Sequence, residues 1–323
     1  MLQNTDRQST DSALFQASGN GWQDAAGALF TPMTNDYLFR ALLQRNNYVL
    51  KGLVCALLRI PFKEVISARI TNPILLGESI DDKTFFLDVS VILNDRTYIN
   101  IEMQVINEHN WPERSLSYLC RTYDNLNSGR DYIQVKPAVQ IGLLDFTLFP
   151  EYPEFYATYQ FLNRKTRKAY SDKMRLSVLN LTRIDLATDE DRLYHLDKWA
   201  SFFKAATWEE LKMLANQDEF INEAAATIYE VSREENIRLQ CEAREDYYRR
   251  QRSVQMQMER QESLLNEQKA ALKGWEDKYA SLVSKYGSLE NENSSLQEEL
   301  IFLKEQIESL RSLNDKDTHK SIL

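Results

Sequence analysis

TFFLDVSVILNDRTYINIEMQV, residues 84–105, alternates in hydropathy on both sides of Asn94-Asp95-Arg96. Phe85, Leu87, Val89, Val91 and Leu93 fall on one face of an extended chain, and Asp88 falls on the other. After the break, Ile99, Ile101, Met103 and Val105 share a face opposite Tyr98, Asn100, Glu102 and Gln104. Period two over these lengths predicts strands at 84–93 and 97–105. Two antiparallel strands bring their apolar faces together only when opposed residue numbers sum to an even number. A three-residue loop pairs Leu93 with Thr97, and that register sets Asp88 directly opposite Glu102. Opposed side chains have Cβ atoms about 5 Å apart. Two carboxylates that close are costly unless a cation sits between them or one carries a proton. Hard cations such as Mg²⁺ are held by one or two carboxylates together with phosphate oxygens. Asp88 and Glu102 are therefore candidate metal ligands.

Working outward, residues 1–30 are rich in Gln, Ser, Asp, Asn and Gly and predict a flexible lead. Residues 34–59 read as one or two helices closed by Pro61. Trp111 to Ser128 reads as a helix, with Pro112 in its first turn and Gly129 after its end. Its apolar stripe is Leu116, Leu119, Cys120, Tyr123 and Leu126. A second stripe, Arg114, Tyr118, Arg121 and Asn125, is either a solvated face or an edge that meets phosphate. Strands return near 132–148, 155–162 and 174–182, and helices dominate from about 189. The basic run Asn163-Arg164-Lys165-Thr166-Arg167-Lys168 reads as a solvated hairpin tip, with phosphate contact beside the carboxylates as the alternative.

Composition narrows the classes. A chain of 323 residues with 43% hydrophobic content can bury a sizeable core. It holds no run of 18 apolar residues, so no membrane-spanning helix is expected. The first residues lack a basic segment followed by an apolar one, so no secretory signal is expected. Cys55, Cys120 and Cys241 are widely spaced, which fits a reducing cytoplasm and opposes a zinc or disulfide framework. The net charge of −9 opposes nucleic-acid binding unless basic residues gather in a local patch.

Asp88 in L-D-V, a turn, and then Glu102 and Gln104 in I-E-M-Q resemble the D…E-x-Q core of the Rpn family. These are recombination-promoting nucleases and transposases of the PD-(D/E)XK superfamily. Asp36-Tyr37-Leu38-Phe39-Arg40 is similar to the family's opening D-x-x-F-K helix, with Arg40 where Lys is usual. Residues 112–118, 128–132 and 137–141 resemble the helix, the G-x-x-Y turn and the strand that follow, so the likeness spans roughly 31–230. The chain departs from the superfamily name at Leu87, in place of Pro, and at Gln104, in place of Lys.

The resemblance implies an α/β restriction-endonuclease-like core, a central mixed sheet flanked by helices, that hydrolyses DNA with Mg²⁺ or Mn²⁺. Asp88 and Glu102 would hold the metal. Gln104 would orient water or a phosphate oxygen, and Asp36 would support the metal from the first helix. Arg114, Tyr118, Arg121 and Arg40 would contact substrate. The alternative reading keeps the fold as an inactive scaffold for a coiled-coil interaction module.

From Leu272 a heptad holds to Leu310. Its a positions are Leu272, Tyr279, Tyr286, Asn293, Leu300 and Ile307. Its d positions are Trp275, Leu282, Leu289, Leu296, Leu303 and Leu310. Such a seam predicts a coiled coil, and Asn293 at an a position favours a dimer of fixed register. Parallel pairing would join Lys285 to Glu290 and Glu299 to Lys304. The expected organisation is a flexible lead at 1–30, a nuclease-like domain at 31–232, a helical stalk and coiled coil at 233–313, and a flexible tail at 314–323. The expected partners are DNA and a second copy of the chain.

Overall fold

The computed structural model describes residues 21–73, 88–125 and 131–320. The expectations for residues 1–20, 84–87, 126–130 and 321–323 lie outside them.

Six strands form one mixed sheet: β1 (Ala68–Ile70), β2 (Val89–Leu93), β3 (Thr97–Gln104), β4 (Ala138–Leu144), β5 (Tyr156–Tyr159) and β6 (Met174–Asn180). Their order is β1-β2-β3-β4-β6-β5. β3, β4 and β6 run parallel, while the β1/β2, β2/β3 and β5/β6 pairs are antiparallel. β1 has only three residues and lacked a sequence signal. The β2–β3 register runs from Val89 opposite Ile101 to Leu93 opposite Thr97, as the even-sum argument requires. Asn94 and Asp95 both take positive φ, and the Arg96 amide donates to the Leu93 carbonyl at 3.0 Å. That turn twists with the strands it joins, and Asn and Asp tolerate its backbone.

The helices are α1 (Asp36–Arg45), α2 (Asn47–Leu58), α3 (Trp111–Tyr123), α4 (Asp189–Leu193), α5 (Leu196–Lys204), α6 (Trp208–Ala215), α7 (Glu219–Ser232) and α8 (Glu235–Lys320). None is long and apolar enough to cross a membrane. Asn35 and Asn46 cap α1 and α2 through their side-chain oxygens. One face of the sheet packs Val89, Val91, Ile99, Ile101 and Met103 against apolar residues of α1, α2, α5 and α7. The other face lies under α3, where Trp111 and Leu119 meet Ala138, Leu144, Leu176 and Val178. Both faces of β3 are therefore covered, and Asn100 and Glu102 are buried rather than solvated.

Four expectations change here. The stripe of α3 that packs inward is Trp111, Ser115 and Leu119, while Leu116 and Cys120 are exposed. The cause is Gly142: a Cβ there would lie 2.1 Å from the Trp111 ring, so the helix seats its first turn in the notch. Residues 21–30 are not a free lead. Trp22 is buried, Leu29 donates its amide to the Ala206 carbonyl at 2.9 Å, and Gly27 donates to the Glu209 carboxylate at 3.1 Å. The expected break at 232/233 moves to 252/253: residues 1–252 cluster as one compact unit and 253–323 as another. Ile237, Cys241 and Tyr248 of α8 are buried with the first unit. In the second unit α8 continues to Lys320, through most of the stretch expected to be a flexible tail.

Candidate active site

Asp88 stands immediately before β2, and one more step of the register brings it opposite Glu102. Its backbone is held from two sides. The buried Arg40 side chain donates to the Asp88 and Asn72 carbonyls, and Asn72 Nδ2 donates to the Asp88 carbonyl at 3.1 Å. Arg40, where the resemblance implied a substrate contact, is 1% exposed and directs its guanidinium to the entry of β2. The planar guanidinium fork suits two carbonyls better than a point-charge ammonium would.

Glu102 is 4% exposed in the middle of the sheet's α3 face. Arg114, one turn into α3, reaches its Oε1 at 2.6 Å. Oε2 is buried and makes no hydrogen bond. Burial pushes the Glu102 carboxyl up to about 7; Arg114 opposes this, while Asp88 and Asp36 reinforce it. Burial also raises Asp88, against the pull of Arg40, a hydrogen bond from Asn100 and Arg114. Each carboxylate thus feels the other's charge or its counter-ions. Asn100 was not singled out from sequence, although it shares the polar face of β3 with Glu102. It belongs to a row across the sheet, accepting from Ser90 Oγ at 3.1 Å and donating to Gln140 Oε1 at 3.1 Å.

Asp36 lies in the first turn of α1, near enough to act on Glu102. Its carboxylate faces Arg244 of α8, whose Nε reaches both oxygens at 2.7 and 2.8 Å. Arg244 also lies over the Tyr247 and Tyr248 rings, 4.6 and 5.0 Å from their centroids. Asn35 fastens the same junction, donating to the Cys241 carbonyl at 3.1 Å and to Glu245 Oε1 at 2.7 Å. Sequence reasoning missed Arg244. The available signal was the helical spacing of Ile237, Cys241 and Tyr248, which marks this stretch as packed rather than free.

Gln104 ends β3 two residues beyond Glu102, on the same face. Its Nε2 donates to the Ile106 carbonyl at 3.0 Å. Tyr118 follows Arg114 by one turn, and the Arg114 and Arg121 guanidiniums lie 5.6 and 5.9 Å from its ring centroid. Burial raises the Tyr118 hydroxyl's pKa, with Arg114 lowering it and Glu102 and Asp88 raising it, so this face of α3 overlooks the carboxylates. Arg121 is exposed at its edge. The fold therefore gathers Asp36, Asp88, Glu102, Arg114 and Tyr118 around one end of β3. Arg40 supports that group from below.

Among the described residues, no group of three or more His, Cys, Asp or Glu stands ready as a metal cage. The pair Asp88 and Glu102 fits a hard divalent cation on a narrower ground. Both donors are oxygens, and one buried carboxylate oxygen lacks any partner. A family model described as PD-(D/E)XK nuclease family transposase matches residues 33–257. No curated protein and no solved structure matches the chain.

Proposed function

The chain belongs to the PD-(D/E)XK nuclease family transposases, and from that membership we propose a DNA endonuclease that hydrolyses phosphodiester bonds with a bound divalent metal. The observation that carries the reading is the buried Glu102 carboxylate with its unpartnered Oε2 in the electrostatic reach of Asp88. PD-(D/E)XK nucleases generally use divalent metal ions, and Mg²⁺ or Mn²⁺ suits this donor set. Asp88 and Glu102 would hold the cation, which would lower the pKa of a bound water and polarise the phosphate. Gln104 would turn its amide from the Ile106 carbonyl to orient the water. Arg114 and Tyr118 would face charge developing on the phosphate, with Arg121 at the rim. Asp36, held by Arg244, would act on the site through its charge. The heptad at 272–310 supports a homodimer, which would present two identical sites to two DNA strands.

One observation favours the second reading, an inactive scaffold bearing a coiled-coil module: Arg114 already sits on Glu102 at 2.6 Å. Cleavage of supercoiled plasmid separates the two. The native chain should nick it with Mg²⁺ or Mn²⁺ and not with chelator, and Asp88→Ala should not. Equal nicking by both proteins would sink the site assignment, and no nicking by either would favour the scaffold.

A further inference from the structure

The basic run left aside above forms the tip of the hairpin between β5 and β6. Leu162 bridges Ala169, and the Tyr170 amide donates to the Phe161 carbonyl at 2.8 Å. Asn163 organises the turn. Its amide donates to the Lys168 carbonyl at 2.9 Å, its side-chain oxygen takes the Lys165 and Thr166 amides at 2.9 and 3.0 Å, and Arg167 adopts positive φ. The tip is thus a defined turn.

Its position corrects the idea of phosphate contact beside the carboxylates. Glu102 shares a row with Gly142, Val178 and Ala157. The hairpin leaves β5 after Tyr159, toward the opposite strand ends, and β5 lies three strands from β3, about 14 Å across the sheet.

The surface there is unlike the rest of the chain. Every residue from 161 to 170 is exposed. Residues 161–173 carry five cations, Arg164, Lys165, Arg167, Lys168 and Lys173, against Asp172 alone, in a chain of net charge −9. None of the five makes an ion pair among the described residues, whereas Arg114 and Arg244 near the carboxylates each do. Large apolar side chains stand in water beside them: Phe161 is 52% exposed, Leu162 46% and Tyr170 91%. Behind Phe161 opens an apolar cavity of about 250 Å³, lined by Tyr159, Met174, Leu176, Trp111 and Leu116. Cations on an edge hairpin can serve only to discourage sheet-to-sheet association. That role gives no reason to expose Phe161 and Tyr170 among them.

We propose that this hairpin is a second DNA-binding surface, remote from the catalytic carboxylates, which grips a single strand. Its four tip cations take successive phosphates, and Phe161 and Tyr170 take unpaired bases by stacking. Phosphate contact is shared by duplex and single strand, but only unpaired bases offer their faces to an aromatic ring. The proposal rests on DNA being the substrate and is independent of whether the carboxylates cut it.

The test is fluorescence anisotropy with full-length protein in EDTA, using a mixed-sequence single-stranded oligonucleotide and a duplex of the same length. An Asp88→Ala background keeps hydrolysis out of the measurement. Replacing Arg164, Lys165, Arg167 and Lys168 by Ala should weaken both probes at least tenfold and flatten the salt dependence. Phe161→Ala with Tyr170→Ala should weaken the single strand at least tenfold and the duplex less than threefold. Tyr170→Ala alone repeats the test at a side chain too exposed to matter for folding. Melting temperatures within 2 °C of native, as an order-of-magnitude tolerance for surface changes, certify each fold. No single-strand binding by the parent, or unchanged affinity in either multiple variant, overturns the proposal. So does aggregation of the cation variant with its DNA affinity intact, which would leave only edge protection. Binding that survives in a chain unable to nick plasmid would overturn the endonuclease reading and leave this one standing.

Discussion

Glu102 is the residue on which the proposed chemistry turns, and its ionisation has a measurable consequence for stability. Its ordinary pKa of 4.5 rises to about 7 in the folded chain. A raised folded value means that stability is fully present below about 4.5 and is lost as pH climbs toward 7, where the buried carboxyl must ionise. The shift corresponds to ~3 kcal/mol. Metal-free protein should therefore lose about that much stability between pH 4.5 and 7.5, and Glu102→Gln should flatten the slope. Mg²⁺ should reverse the loss in the native chain, because a ligand bound only by the folded state stabilises it by mass action. Urea titrations at several pH values, with and without Mg²⁺, check both statements. An identical slope in Glu102→Gln would mean that another group is responsible. Arg114 supplies a second prediction. Its guanidinium competes with any cation for Glu102 Oε1, at 2.6 Å. Arg114→Ala should then tighten Mg²⁺ binding in calorimetry while lowering cleavage, since the charge facing the phosphate is gone. Weaker Mg²⁺ binding would show that Arg114 orients Glu102 rather than competing for it.

Elements explain why these residues meet. Trp111 of α3 fits over Gly142, which pairs with Glu102 in the β3–β4 register, so the helix that carries Arg114 is seated by one missing Cβ. Gly142→Ala would press a methyl to 2.1 Å of the ring. It should cost ~1–3 kcal/mol as an overpacked core site, and cleavage should fall with it. A variant that is destabilised yet cuts normally would separate the seat from the site. The β2–β3 register, and with it the approach of Asp88 to Glu102, was legible because side-chain period and loop length leave one consistent pairing. The face of α3 was not. Leu116 and Cys120 looked internal by helical spacing, and only the groove at Gly142 turns Trp111, Ser115 and Leu119 inward. Arg40 was placed on the right helix, but its hydrogen bonds to the Asp88 and Asn72 carbonyls were not legible, because they depend on a chain path that hydropathy does not encode. The start of α8 escaped for a similar reason. A charged stretch with three buried positions, Ile237, Cys241 and Tyr248, reads as a solvated stalk until the surface it covers is known.

At the scale of the whole molecule the two compact units, 1–252 and 253–323, make separate claims on stability and assembly. A cut after residue 232 removes three buried side chains and the Arg244 partner of Asp36. At ~1.5–3 kcal/mol for each large apolar group, that loss approaches the whole stability of a domain. A cut after Arg252 spares them all and should leave a folded monomer that retains the site. In the second unit the heptad side chains are open to water: Leu282 is 65% exposed, Leu289 63%, Leu296 57%, Leu303 49% and Leu310 66%. A single helix with that stripe uncovered has little reason to persist, since propensity alone supports only marginal helices in water. Burial of five leucines on each chain would outweigh one Asn293 in the seam, and the Asn penalises the wrong register and the higher states. The full chain should therefore sediment as a dimer, and 1–252 as a monomer. Asn293→Leu should associate more tightly and spread into trimers or tetramers, because the polar pair no longer disfavours them. Sedimentation equilibrium on the three proteins reads all of this at once. A dimer that survives the cut at 252 would place the interface in the first unit, and the heptad would then serve a different protein.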